Sequence, residues 1–300
     1  MHALLLLLIA SDADFNGRWN LTVANEPRQR AWWLEIEGAG GPGPLRGRFI
    51  GFPGGDLNSI DDLALASGEL TFSTSRGGRR LAYRARLKGG DLAGTRSDGS
   101  AALDWIGRRA PVIKDKDDGS WKPGHSVALF NGRDLSGWRG VVSGKELGWS
   151  VKDGVLTNVA GANNLVSEKK FWNFELHAEY RLSKQSNSGI GLRARYEVQV
   201  LDDHGRPPDT HSHGALYSRI PPAVNASKPP GEWQSLDVRL AGRDVTIVLN
   251  GHKVIDRQVI EGLTAMATDA DEGAPGPITL QGDHREVEFR SMVVTPLEKR

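Results

Sequence analysis

The chain has 300 residues, with 38 basic against 37 acidic side chains and a net charge of +1, so no global field recruits nucleic acid or an anionic membrane. Its 37 glycines and 15 prolines suit a turn-rich β protein, and no apolar 3.6-residue period persists over a helix length. The absence of cysteine excludes disulfides, thiolate catalysis and an acylated cysteine anchor.

The opening "MHALLLLLIASDADFNG" carries an apolar run from Ala3 to Ile9, too short to span a bilayer, followed by small residues at Ala10, Ser11 and Ala13. This reads as a secretory leader over residues 1–13, and it places the mature protein in the periplasm or outside the cell. Residues 14–110 then repeat strand-length runs between glycine-rich turns: "GRWNLTV", "AWWLEIEG", "LRGRFIGF", "GELTFSTS", "LAYRARLKGGDLAGTR" and "ALDWIGRR". An up-and-down β-barrel or small sandwich is expected, with Trp19, Trp32, Trp33 and Trp105 filling its interior. Residues 111–126 are charge-dense, punctuated by proline and free of any period, as a linker is. Residues 127–300 form a second series of longer strands. Within "VRLAGRDVTIVLNGHKVID" one hairpin turns at Gly242-Arg243 and another at Asn250-Gly251, the latter a type I′ signal. Antiparallel strands over this length predict a two-sheet jelly roll.

Two runs in this second part carry polar chemistry. "GLRARYEVQVLDDHG", Gly191 to Gly205, alternates with period 2 and reads as one strand. Leu192, Ala194, Tyr196, Val198 and Val200 make its apolar face, and Arg193, Arg195, Glu197 and Gln199 the other. "FELHAEYRL" likewise sets Glu175, His177, Glu179 and Arg181 opposite an apolar row. Only the short "SKQSNSG" separates the two, so they are expected to pair as a hairpin and to share one polar surface. The plain account is a solvated sheet face with charges paired across strands. The two-pronged side chains and the polar loops "LDDHG", "HSHG", "NASKPPGEW" and "QGDH" favour instead a groove for sugar hydroxyls. Asp202, Asp203 and His204, with His211 and His213 close behind, have the donor types for a divalent cation, although a proline-rich loop of surface histidines accounts for them equally. No phosphate-binding glycine loop and no nucleophile elbow is present.

Five ordered motifs then carry a resemblance: "LFNGRDLSGWRG", "NSGIGLRARYEVQVLDD", "GALYSRI", "NASKPPGEWQSLDVRLAGRDVTIVLNGHKVID" and "ITLQGDHREVEFRSM". From Val127 to Pro296 the chain resembles the 3-keto-disaccharide hydrolase domain family. The resemblance implies a concanavalin-like jelly roll, exported by bacteria, that cleaves glycosides already oxidised at C3. The stretch ahead of it resembles the small lipocalin-like β domains sometimes fused to this one. Where the family reads Gln-Asp-His-Gly, this chain reads Gln281-Gly282-Asp283-His284-Arg285.

The implied chemistry is loss of a C2 proton beside the ketone, elimination of the C1 aglycone and return of water. It requires a base, a cation or donors at the enolate oxygen, and an acid for the leaving group. On the resemblance, Glu197 or Glu179 is the base, Arg193 and Lys228 steady the enolate, and His284 serves as acid. Gln199, Tyr217, Trp233 and Gln281 then hold the sugar, with Arg195 in the same polar file. The ordinary alternatives are a surface lysine at Lys228, core aromatics at Tyr217 and Trp233, and a turn cap at His284. Two other functions share these residues: a non-catalytic carbohydrate-binding sandwich, and a glycosidase using Glu179 and Glu197 as its two carboxylates. All three readings take a small-molecule sugar as partner, with no nucleic acid and no membrane span.

Overall fold

A computed structural model describes residues 11–51, 55–76 and 78–300, so the apolar run expected as a leader lies outside the described residues. They divide into two units, one of Trp32–Ala110 with the residues up to Glu26, the other of Pro27–Ala31 with Pro111–Arg300. Among the described residues no helix is long and apolar enough to cross a membrane.

The first unit is a single antiparallel sheet of β1 (Gly17–Val23), β2 (Trp32–Glu37), β3 (Arg46–Ile50), β4 (Asn58–Ser59), β5 (Ala64–Ala66), β6 (Glu69–Arg76), β7 (Arg79–Lys88), β8 (Asp91–Ser97) and β9 (Ala102–Arg109). Its order is β4-β3-β2-β1-β9-β8-β7-β6-β5, an up-and-down meander in which the first strand pairs with the last. Trp19, Trp32 and Trp105 pack in its core with Phe49, Phe72 and Tyr83. Trp33 does not join them, because one residue along β2 the side chain turns to the opposite face.

The second unit contains β10 (Trp121–Pro123), β11 (Val127–Ala128), β12 (Trp138–Gly140), β13 (Trp149–Lys152), β14 (Val155–Asn158), β15 (Leu165–Phe171), β16 (Phe174–Leu182), β17 (Asn187–Leu192), β18 (Tyr196–Leu201), β19 (Trp233–Ala241), β20 (Asp244–Leu249), β21 (His252–Val259), β22 (Gly276–Leu280) and β23 (Val287–Lys299). One sheet runs β13-β14-β23-β16-β19-β20-β21, with β10 and β11 also on β23; the other runs β12-β15-β22-β17-β18. Leu176, Tyr180, Leu240 and Phe289 of the first, with Ile190, Val198, Val200 and Leu280 of the second, are fully buried between them. The fold is therefore an all-β jelly-roll sandwich. Residues 111–126 pack as part of this unit: Trp121 pairs with Lys299, and the Arg239 guanidinium grips the Asp117 carboxylate.

Two expectations for the polar strands fail. β16 and β17 are not hairpin neighbours, because β16 pairs with β19 and β23 while β17 lies in the other sheet. Their short connection turns the corner between layers, so that both apolar faces cover one core. Nor is Gly191 to Gly205 a single strand: Arg193 and Ala194 adopt left-handed φ of 54° and 55°, and Leu192 pairs directly with Tyr196. Partners four residues apart point the same way, so this three-residue turn leaves the period-2 alternation undisturbed.

Candidate active site

β17 lies between β22 and β18, and its register builds a grid on the sheet face turned away from the core. Thr279, Gly191 and Glu197 share one rung. Gln281, whose N–H donates to the Gly189 carbonyl at 2.9 Å, shares the next with Gly189 and Gln199, and Asn187 follows. The neighbouring segment adds Tyr217, whose N–H donates to the Glu197 carbonyl at 3.0 Å.

The two glycines contribute no side chain to the middle of the grid, and their neighbours fill it. A Cβ at Gly189 would stand 2.6 Å from Glu197 Oε1, and one at Gly191 would stand 2.0 Å from Thr279 Oγ1. The flanking side chains therefore lie across the β17 backbone, as only glycine permits. Asn187 Oδ1, Gln199 Oε1, Thr279 Oγ1 and Gln281 Oε1 are all buried there without a hydrogen-bond partner.

Glu197 is 3% exposed. Burial pushes its carboxyl up to about 7, against the lowering pull of Arg30 and His284; Asp283 adds to the rise, and the Met266 backbone N–H opposes it. Arg30, in the Pro27–Ala31 segment of this unit, donates from Nη1 to the Ala265 carbonyl at 3.1 Å and from Nη2 to Asp283 Oδ2 at 3.3 Å. The other oxygen of Asp283 meets His284 Nδ1 at 3.0 Å. Burial alone would raise Asp283, but the hydrogen bond from His284 and the positive charge of Arg30 hold it below the usual carboxylate range. With Nδ1 engaged, His284 has Nε2 left for proton transfer. The cluster thus supplies a carboxyl poised near neutrality, a fixed cation and a carboxylate-oriented histidine.

Of the residues expected from the sequence, Glu197, Gln199, Tyr217, Gln281 and His284 come together here. Glu179, Lys228 and Trp233 do not. They lie on the outer face of the seven-stranded path, where Glu179 forms a two-pronged ion pair with Arg290 at 3.0 Å. That pairing holds Glu179 below its ordinary value, leaving it a weak base. The Trp233 ring lies beside the Arg181 and Arg290 guanidiniums, 4.8 and 4.4 Å from its centre, and exposed Lys228 donates to the Trp233 carbonyl at 3.0 Å. Arg193 and Arg195 serve the fold. Arg193 donates to the Trp172 and Gly242 carbonyls and to Asn173 Oδ1, and Arg195 to the Ala274 carbonyl and Asp269.

The cation expected at Asp202, Asp203 and His204 has no assembled ligand set. Asp202 accepts from the Gln185 N–H, Asp203 from Ser227 and the His213 N–H, and His204 Nδ1 faces the Ser227 carbonyl. His211 packs its ring on Tyr217. Among the described residues no three His, Cys, Asp or Glu side chains gather as metal ligands.

Sequence reasoning missed Arg30, Asn187 and Thr279. Nothing local marks Arg30, which precedes the site by more than 150 positions. Asn187 and Thr279 were findable, because two strand glycines spaced by two in "NSGIGL" announce a bare face that neighbours must line.

Residues 125–295, more than half of the chain, match the sequence profile of the 3-keto-alpha-glucoside-1,2-lyase-like domain. The chain belongs to that family. It is 27% identical over 168 residues to the 3-keto-disaccharide hydrolase of Bacteroides thetaiotaomicron, a match covering 43% of this chain and 57% of that protein. The chain thus spans little more than half the length of this curated relative. Two crystal structures of Parabacteroides distasonis proteins provisionally named glycosyl hydrolases are also similar. One is 28% identical with a TM-score of 0.49, covering 63% of this chain and 92% of the other. The second is 24% identical with a TM-score of 0.48, covering 58% and 94%. Within the family's matched span lie Glu197, Asp283, His284 and the whole acceptor grid; Arg30 lies ahead of it.

Proposed function

We propose that this protein cleaves 3-keto-glycosides by elimination across C2 and C1 followed by hydration. Glu197 takes the C2 proton, which the C3 ketone acidifies, and the electron pair passes into an enolate stabilised by the Arg30 guanidinium. As the C3 carbonyl re-forms, a C1–C2 double bond develops and the aglycone oxygen leaves, taking a proton from His284. Water then adds at C1 and its proton restores His284, while the proton on Glu197 exchanges with solvent and the carboxyl then reprotonates C2. The products are the free aglycone and the 3-keto sugar.

One observation carries this reading: a buried carboxyl poised near pH 7 shares its surroundings with a cation and an Asp–His pair. A base matched to the operating pH is what removal of a weakly acidic C–H requires. The matched family, described as lyase-like, supports the elimination half. We propose that the protein is exported, on the apolar run Ala3–Ile9 and the small residues Ala10, Ser11 and Ala13 that follow it.

Incubating a 3-keto-glucoside with the protein in heavy water, followed by NMR, tests the mechanism. Free aglycone together with deuterium at C2 of the keto sugar is the expected result. Cleavage with C2 still protonated, or cleavage of an unoxidised nitrophenyl glucoside, defeats it; the ligand recovered unchanged points to a carbohydrate-binding sandwich.

A further inference from the structure

The base, cation and acid leave the grid's four oxygens unused. Gln199, Thr279 and Gln281 are 3%, 1% and 6% exposed, and their side-chain oxygens, with that of Asn187, accept nothing from the protein. Such acceptors cost folding free energy unless a ligand supplies the missing donors. Four such oxygens within three rungs of one sheet face, beside a buried carboxylate, leave several acceptor positions open, and the Thr279 hydroxyl can donate as well. A polyhydroxylated ring supplies donors on several edges at once; a deoxy or O-alkylated ring has fewer.

The glycines explain how one ring can reach all four. Gly189 and Gly191 raise no side chain of their own, so Thr279 of β22 and Glu197 of β18 lean over the β17 backbone and bring the two columns close enough for one flat ligand to span them. The two glutamines flank Gly189, whose missing side chain is replaced by the Glu197 carboxylate, so both amides stand beside the base.

We propose that Asn187, Gln199, Thr279 and Gln281 determine specificity by hydrogen-bonding the free hydroxyls of a single unsubstituted keto-sugar ring held against this grid, the three amides through their carbonyl oxygens and Thr279 through its hydroxyl. This deepens the proposed function and rests on it: the class of substrate is a 3-keto-hexoside whose remaining ring hydroxyls are neither removed nor capped.

The test pairs substrate hydroxyls with protein acceptors. Wild-type protein and the near-isosteric Thr279→Val are assayed on a 3-keto-glucoside and on its 4-deoxy, 6-deoxy and 6-O-methyl analogues. Wild type is expected to lose about 10- to 100-fold in kcat/KM for each hydroxyl removed or capped. Thr279→Val should lose a similar factor on the parent yet little further on one particular deoxy analogue, since the same bond is then absent from both sides. Gln199→Leu repeats the cycle for a second hydroxyl. Equal wild-type rates on all analogues, or losses that multiply independently in every pairing, overturn the proposal. The analogue series on wild type requires no variant to fold. If wild type turns over none of the compounds, the catalytic reading fails by itself, and the hydroxyl preference is decided by calorimetric binding of the same analogues: tighter binding of the parent upholds it, equal binding ends it.

Discussion

Glu197 is the residue on which function and stability pull apart. Its carboxyl is raised to about 7 because burial disfavours the charge. As a base it must be ionised, so kcat/KM should fall as pH drops below about 7. Arg30 holds that value down, and Arg30→Met should move the acid limb of the profile to higher pH; an unmoved limb would show that Arg30 does not face the base. Glu197→Gln should cost about 10²- to 10⁴-fold in kcat. Stability should run the other way. A folded pKa above the unfolded one contributes stability at low pH that is lost as pH rises through about 7, amounting to roughly 3 kcal/mol at 1.36 kcal/mol per unit. Glu197→Gln should therefore melt no lower than wild type at pH 8, and a marked drop in melting temperature would contradict the buried-charge account. At this scale the sequence identified the right kind of residue but could not choose between Glu179 and Glu197. Both stand in polar files on period-2 strands, and only the partner across the sheet, Arg290 for one and a bare glycine for the other, separates them.

β17 does its work by what it lacks. Glycines at 189 and 191 let Glu197 and Thr279 lie over its backbone, so the strand positions the base. Gly189→Ala should force the Glu197 carboxylate aside and cut kcat on the order of 100-fold, since an ångström of misplacement is worth that much. The melting temperature should move only slightly, because the added methyl meets the far end of a flexible side chain and no backbone. A variant with full kcat would show that the carboxylate does not act from this position. β17 and β18 also show where pattern reading stops. Their turn at Arg193-Ala194 hid within an unbroken alternation because hairpin partners four residues apart share a face. The hairpin at Asn250-Gly251, by contrast, was legible: its residues take φ of 51° and 82°, values that asparagine and glycine tolerate and that a type I′ turn demands.

Across the second unit, a buried proton chain ties one sheet to the segment leaving the other. Ser227 donates its only proton to Asp203 at 2.7 Å, so it must accept from His213 Nδ1 at 2.8 Å, and Nε2 is then free to accept from the Tyr180 hydroxyl of β16. Every group is satisfied only while His213 is neutral, and burial holds its pKa at about 4 despite the nearby Asp203 and Asp202. The unfolded chain protonates this histidine first, so stability is complete above pH 6.5 and falls as pH drops from 6.5 toward 4. Urea unfolding over that range should show a shallower loss for His213→Gln than for wild type; parallel curves would refute the role. The amino-acid sequence by itself determined the all-β class, the family and the apolar faces, because alternation, turn chemistry and ordered motifs are local. Only the tertiary structure decided which polar file became a site. Assignment of β16 and β18 to different sheets, the arrival of Arg30 beside Glu197 and the gathering of four unpartnered oxygens around two glycines all depend on contacts between residues far apart in the chain. Those contacts arise because one apolar core must be covered from both sides, a constraint no single strand carries.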